Sequence, residues 1–171
     1  MMVCCLSVVQ GLLQAKMRPA MWVPGIRLAH SHKEKWSCPD SQPEACVDEI
    51  IRAVEIVQSL KETNSTYLVS KVDREKFTIQ ILNWTLVEWL DVVEIEFKHG
   101  QEQGTEAECL SFSSGLFPTW FPLCFILNSI FCIVPFWDKH FNRDRLERLR
   151  LAMQITCQLK GKTQEMKDPL V

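Results

Sequence analysis

Apolar residues recur along this chain in three rhythms, and each predicts a different element. Between Ser41 and Thr63, Val47, Ile50, Ile51, Val54, Val57 and Leu60 follow at steps of three and four, while Asp48, Glu49, Arg52 and Glu55 mostly take the other side. That spacing predicts a helix with one buried face. Ser41-Gln-Pro-Glu44 precedes it as a capping-box pattern with proline in the first turn. From Thr66 to Phe97 the period falls to two. Tyr67 and Val69 alternate with Leu68 and Ser70, and Phe77, Ile79 and Ile81 alternate with Thr78 and Gln80. Val93, Ile95 and Phe97 then alternate with Glu94, Glu96 and Lys98. Strands with one polar side predict an antiparallel sheet with one wet face. After a glycine-containing loop at Gly100 and Gly104, the stretch through Ala107, Cys109, Leu110 and Phe112 returns as a partner strand.

A second helix is predicted from Asn142 to about Lys160. Asn142 suits an N-cap and Asp144 the first turn, Leu146, Leu149, Met153, Cys157 and Leu159 form the stripe, and Gly161 ends it. The fold class that follows is α+β, an antiparallel sheet packed by two main helices. Residues 36–160 form one domain, 1–35 a flexible or targeting-like leader, and 161–171 a polar tail. A chain of 171 residues fits a single domain of that kind.

The third rhythm is none at all. Cys109 to Trp137 carries no charge, and it is preceded by acidic and followed by basic residues. By apolar content Leu116 to Phe136 would pass as a transmembrane helix. Pro118, Pro122 and Pro135 oppose this, because each lacks the amide that a helix interior needs. The longest unbroken helix, Pro122 to Val134, would be about 20 Å long at 1.5 Å per residue, against about 30 Å of hydrocarbon, and Asn128 sits in its middle. Two readings stand ahead of a span. One is an interfacial or re-entrant helix anchored by Trp120, Phe121, Phe125, Phe131, Phe136 and Trp137; the other is a helix buried in the core.

Composition adds mainly exclusions. A net charge of −2 gives no electrostatic argument for nucleic acid. The eight cysteines are scattered without a CxxC, and His30, His32, His99 and His140 are not spaced for zinc, so neither a metal nor another cofactor is expected. Cys38 and Cys46 would suit a disulfide in an oxidising compartment. The sequons Asn64-Ser-Thr66 and Asn83-Trp-Thr85 carry weight only in a luminal setting. Met1 to Lys33 has no acidic residue; its apolar patch Val3 to Leu13 lacks the charged lead of a secretory signal, while Cys4 and Cys5 are weak acylation candidates. An intracellular, membrane-associated location is expected, with organelle targeting as an option.

Four short pieces carry a resemblance. They are Cys38-Pro39 with Cys46-Val47; Trp89-Leu-Asp91-Val92-Val93-Glu94; Leu110-Ser111-Phe-Ser113-Ser114; and Asp138-Lys-His140-Phe-Asn142-Arg143-Asp-Arg145-Leu-Glu147. In this order they resemble the bacterial and plant family catalogued as domain of unknown function 1499, over roughly Cys38 to Met153. The chain departs from the family pattern at Val92 (Asp there), at His140 (Gly there), and by lacking the two arginines that flank the serines. The resemblance implies that the serine strand and the arginine helix belong to one body. Gly115 to Trp137 then looks like an apolar insertion that leaves the domain and returns to the same side, as a helical hairpin or lid.

Candidate chemistry is limited. Asp91, Glu94, Arg143 and Arg145 suit a carboxylate–guanidinium cluster, with Asp138 and Glu147 as further ion-pair partners that fix the second helix to the sheet. The functional counterpart is an anion or ligand pocket built from Ser111, Ser113, Asn142, Arg143 and Arg145. Cys109 or Ser113 with His140 and Asp138 is the one nucleophile trio available, without a nucleophile elbow, so no catalytic residue is assigned. No glycine-rich phosphate loop occurs. The expected function is a non-enzymatic membrane-peripheral module that binds a membrane lipid or another apolar small molecule. The alternatives are a small hydrolase-like enzyme using Ser111 or Ser113 with Asp138 and Arg143, and a scaffold subunit that docks a protein partner through the apolar run.

Overall fold

β4 (Leu90–His99), whose alternation is the cleanest in the sequence, lies inside a six-stranded antiparallel sheet. The computed structural model describes residues 3–22, 30–60, 64–100, 104–134 and 141–160. The strands β1 (Ser31–Pro39), β2 (Thr66–Asp73), β3 (Thr78–Trp84), β4, β5 (Gly104–Ser113) and β6 (Gln158–Leu159) run in the order β2-β3-β4-β5-β1-β6. The helices are α1 (Cys5–Met17), α2 (Pro43–Leu60), α3 (Cys124–Ile130) and α4 (Phe141–Ala152), with a 3-10 turn at Pro19–Met21. The α+β class read from the periodicities is therefore the observed one.

One face of the sheet carries the main core. Trp36, Ile79, Ile81, Val93, Ile95, Phe97, Ala107 and Cys109 point from the strands toward Val47, Ile50, Ala53 and Val54 of α2 and Leu146 and Leu149 of α4. Period two along each strand and period 3.6 along each helix bring these positions to one surface. The opposite face is divided. Its upper half, Leu82, Trp84, Leu90, Val92 and Phe112, packs under Ala15 of α1. The lower half stays open and bears Gln80, Glu94, Glu96, Glu108 and Lys35, as a wet face should.

Several expectations change. The flexible leader over residues 1–35 is instead, where described, a helix packed on the sheet and a strand within it. β1 pairs with β5 from Ser31↔Phe112 to Pro39↔Gly104. Its sequence hid this because only Trp36 and Cys38 are apolar, and both face the core. Ser41 does not cap α2; its hydroxyl donates to the Pro39 carbonyl at 3.3 Å, so the capping box is not formed. The last helix stops at Ala152 rather than near Lys160. The Gln154 amide donates to Glu49 Oε1 (2.7 Å), the Lys160 amide to the Lys35 carbonyl (2.8 Å), and Gln158–Leu159 pairs with the free edge of β1. These tertiary partners outcompete two more helical turns. They also carry Cys157 to Cys38, and it is this pair that forms the disulfide; Cys46 is a free buried thiol.

The apolar run is not a helical hairpin in its described part. Residues 115–134 form turns around the seven-residue α3, which packs beside α1. No helix among the described residues is long and apolar enough to cross a membrane.

Candidate functional site

Two polar constructions stand out, one on each face of the sheet. The first is centred on Arg145. Asn142 and Arg145 lie three apart on α4, hence on one side of it, and Asp91, Ser111 and Ser113 occupy ladder positions on β4 and β5 where Asp91 faces Ser113. Arg145 Nη2 donates to Asp91 Oδ2 at 2.6 Å; Nη1 donates to Asn142 Oδ1 at 2.8 Å and Ser111 Oγ at 3.1 Å. In the amide orientation that satisfies both groups, Asn83 Oδ1 accepts from Arg145 Nε (3.0 Å) and Nη2 (3.2 Å). Ser111 Oγ donates to Asn142 Oδ1 (2.6 Å), and Asn142 Nδ2 donates to the His30 carbonyl (3.0 Å) and Ser113 Oγ (3.3 Å).

A guanidinium has five N–H donors, and this geometry engages all of them. Asp91 supplies the counter-charge, and the set is buried. An external anion would find neither a donor nor net charge there. The residues proposed as an anion pocket are thus brought together, except Arg143, which is exposed and turns toward the open side groove. Glu94 is also elsewhere: three residues from Asp91 on a strand, it lies on the opposite face and pairs with Arg18 at 2.8 Å. Glu147 is exposed. Asp138 and His140 lie outside the described residues, so the nucleophile trio has no described geometry. Cys109 itself is buried, and burial pushes its thiol well above the ordinary value, unsuited to nucleophilic work at neutral pH. Among the described residues, no group of His, Cys, Asp or Glu could hold a metal ion.

The second construction is the layer of α1 and the 114–134 segment, and its polarity is inverted. The residues that α1 turns inward are Ser7, Gln10, Gly11, Gln14 and Ala15, whereas Leu6, Val9, Leu12, Leu13 and Met17 face outward. Gln10 and Gln14 are 3% and 0% exposed; Val9 is 58% exposed. The pattern repeats on α3, where Cys124 and Asn128 are buried while Ile126 and Ile130 are exposed. Hydrogen bonds tie the inner sides together. Gln14 Nε2 donates to Ser114 Oγ (2.6 Å), and Asn128 Nδ2 donates to Gln14 Oε1 (3.0 Å) and the Phe117 carbonyl (3.1 Å). Gln10 Nε2 donates to the carbonyls of Thr119 and Phe121, both at 2.9 Å.

Two glycines allow the approach. A Cβ on Gly11 would stand 2.8 Å from the Trp84 ring, and one on Gly115 would overlap the Asn128 side chain. The 85–89 turn joins the layer: Ser7 donates to the Glu88 carboxylate, and the Thr119 amide and hydroxyl both donate to the Glu88 carbonyl at 2.8 Å. Leu86, Val87 and Trp89 stay exposed beside them. Of the aromatic residues proposed for membrane contact, Trp120, Phe121 and Phe131 are exposed and Phe125 is half-buried; Phe136 and Trp137 lie outside the described residues. In the sequence the N-terminal segment showed only as an apolar patch, Val3 to Leu13, with no helix assigned to it. The signal was there in reverse, as the polar residues Ser7, Gln10 and Gln14 at helical spacing.

The open lower half of the sheet forms a groove of about 990 Å³ whose rim includes Lys33, Lys35, Lys71, Glu94, Glu96 and Glu108. Its charges are largely paired. Lys98 and Lys35 hold the Glu108 carboxyl below its ordinary value, and the hydrogen bond to Glu96 raises Lys98. The fold and site thus define an antiparallel α+β domain with one inverted helical layer. Neither any protein-family model nor any curated protein sequence matches the chain.

Proposed function

We propose that the chain is a non-enzymatic membrane-peripheral module that seats the outer side of the α1, 85–89 and α3 layer in a bilayer interface. The observation that carries this is the inverted polarity. In water, turning glutamine and asparagine inward and leucine, isoleucine and valine outward forfeits the hydrophobic term. Against lipid the same arrangement is the stable one, because polar groups must be satisfied within the protein and apolar side chains meet acyl chains. Exposed Trp22, Trp89 and Trp120 suit the headgroup boundary. Complete burial of one leucine or isoleucine side chain contributes about 1.5–3 kcal/mol, and the outward side chains, each about half exposed, act together to hold the layer at the interface.

The resemblance to the family of domain of unknown function 1499 is also part of this proposal. Residues from three of its four pieces, Asp91, Ser111 with Ser113, and Asn142 with Arg145, meet in one buried cluster, as expected of a shared folding signature rather than a ligand site.

Flotation of the full chain with phosphatidylcholine vesicles tests the function. Deleting the apolar run would also remove Asn128 and Cys124 from the interior, so surface charges are the better probe. Leu12→Glu with Ile126→Glu abolishes flotation while the circular dichroism stays native, and flotation of the unaltered chain survives high salt. Flotation that the two glutamates leave unchanged overturns the reading, and so does a chain that stays at the bottom of the gradient.

A further inference from the structure

We infer that Asn64 is an N-glycosylation site and Asn83 is not, and that the chain matures in an oxidising lumen. Two independent observations meet here. The first is the compartment. Cys38 and Cys157, far apart in sequence, form a disulfide that fastens the segment after α4 to β1, and such bonds persist where the surroundings are oxidising. That is the setting in which Asn-x-Thr acceptors are used.

The second is the contrast between the two sequons. Asn64 is exposed, sits in the left-handed backbone region (φ 48°), and opens the segment that becomes β2 at Thr66. An attached sugar would project from this exposed position into solvent. Asn83 is 1% exposed, lies within β3 between Tyr67 and Asp91 in the ladder, and accepts from Arg145. Its sequon threonine, Thr85, accepts from the Trp89 amide at 3.2 Å. A sugar on Asn83 would displace the buried guanidinium, so a chain modified there does not reach the native state.

The donor is a polyprenyl-diphosphate-linked oligosaccharide. A bond forms between Asn64 Nδ2 and the anomeric carbon of the first sugar. The bond from that carbon to the diphosphate oxygen breaks, the diphosphate leaves on its lipid with the electron pair, and the amide nitrogen loses one proton. The glycan then stands at the head of β2, the sheet's outer strand, where Leu68 and Val72 are exposed. A bulky solvated group beside the outermost strand of the sheet opposes edge-to-edge association.

The test is expression of the full chain in cultured eukaryotic cells, with electrophoretic mobility of the native, monomeric fraction compared before and after peptide N-glycosidase. The expected result is one glycan, lost in Asn64→Gln and in Thr66→Ala and kept in Thr66→Ser, on a chain whose Cys38 and Cys157 resist alkylation until reduced. An unaltered chain without an N-glycosidase shift, a native fraction carrying two glycans, a shift that survives Asn64→Gln, or free Cys38 and Cys157 thiols in the unreduced extract would each overturn the inference.

Discussion

Arg145 on α4 and Asp91 on β4 stand 2.6 Å apart, with 6% and 8% of their side chains exposed. Their partners close the cluster completely, so the pair works as a fastener between the second helix and the sheet. Removing one member of such a pair strands a charge in a medium that cannot solvate it, which is why breakage costs far more than the intact pair contributes.

Arg145→Met therefore destabilises the fold by about 3–5 kcal/mol, measured by urea unfolding. Pairing it with Asp91→Asn recovers part of that loss, because the stranded carboxylate is gone. A single-variant loss in the range of about 0–1 kcal/mol typical of surface pairs would contradict the account.

Replacing Cys157 with serine, or reducing the protein, costs about 2–5 kcal/mol. Peptide mapping under non-reducing conditions yields Cys38 joined to Cys157, with Cys46 alkylated only after unfolding. A Cys38–Cys46 peptide would refute the pairing. Connectivity of this kind is not readable from spacing. The sequence favoured the near neighbour, whereas the turn of the chain after Ala152 and the β6 pairing decide the matter.

The sequence disclosed elements whose apolar side is dense and hid those where it is sparse or reversed. α2 and β4 were legible because Val47, Ile50 and Val54, and Val93, Ile95 and Phe97, repeat at one clear period. β1 was not, since its core side offers only Trp36 and Cys38 among charged neighbours. The cluster was half legible. Asp91 and Arg145 were named, yet Glu94 and Arg143 were grouped with them, although a strand's period of two and a helix's 3.6 send both to other sides. The inverted layer was illegible to any search for apolar stripes.

Gly115→Ala forces a Cβ into the Asn128 side chain, which holds Phe117 by both its amide atoms. The expected loss is about 1–3 kcal/mol, as for overpacking elsewhere, with a weakened near-ultraviolet dichroism signal as the segment loosens from α1. Wild-type stability in this variant would mean that the 114–134 segment does not pack as described.

Burial raises the Cys124 thiol from 9.0 to about 11. The folded chain thus keeps a proton that the unfolded chain has lost. The contribution is whole below pH 9, declines as pH rises, and is lost by about 11. In Cys124→Ala this part of the alkaline decline disappears, read as the difference between the two unfolding-midpoint curves. Parallel curves across that window would contradict the burial. Exposed Cys4 and Cys5 react with maleimide at neutral pH before buried Cys46, Cys109 and Cys124.

Quenching of tryptophan fluorescence by vesicles with brominated acyl chains tests the central claim most directly, because it reports which side of the molecule meets lipid. Trp36 and Trp84 are buried in the sheet, whereas Trp22, Trp89 and Trp120 are exposed. The account predicts quenching of the unaltered chain that falls sharply when Trp22, Trp89 and Trp120 are all replaced by phenylalanine. Quenching that is absent, or that those three substitutions leave untouched, would contradict it.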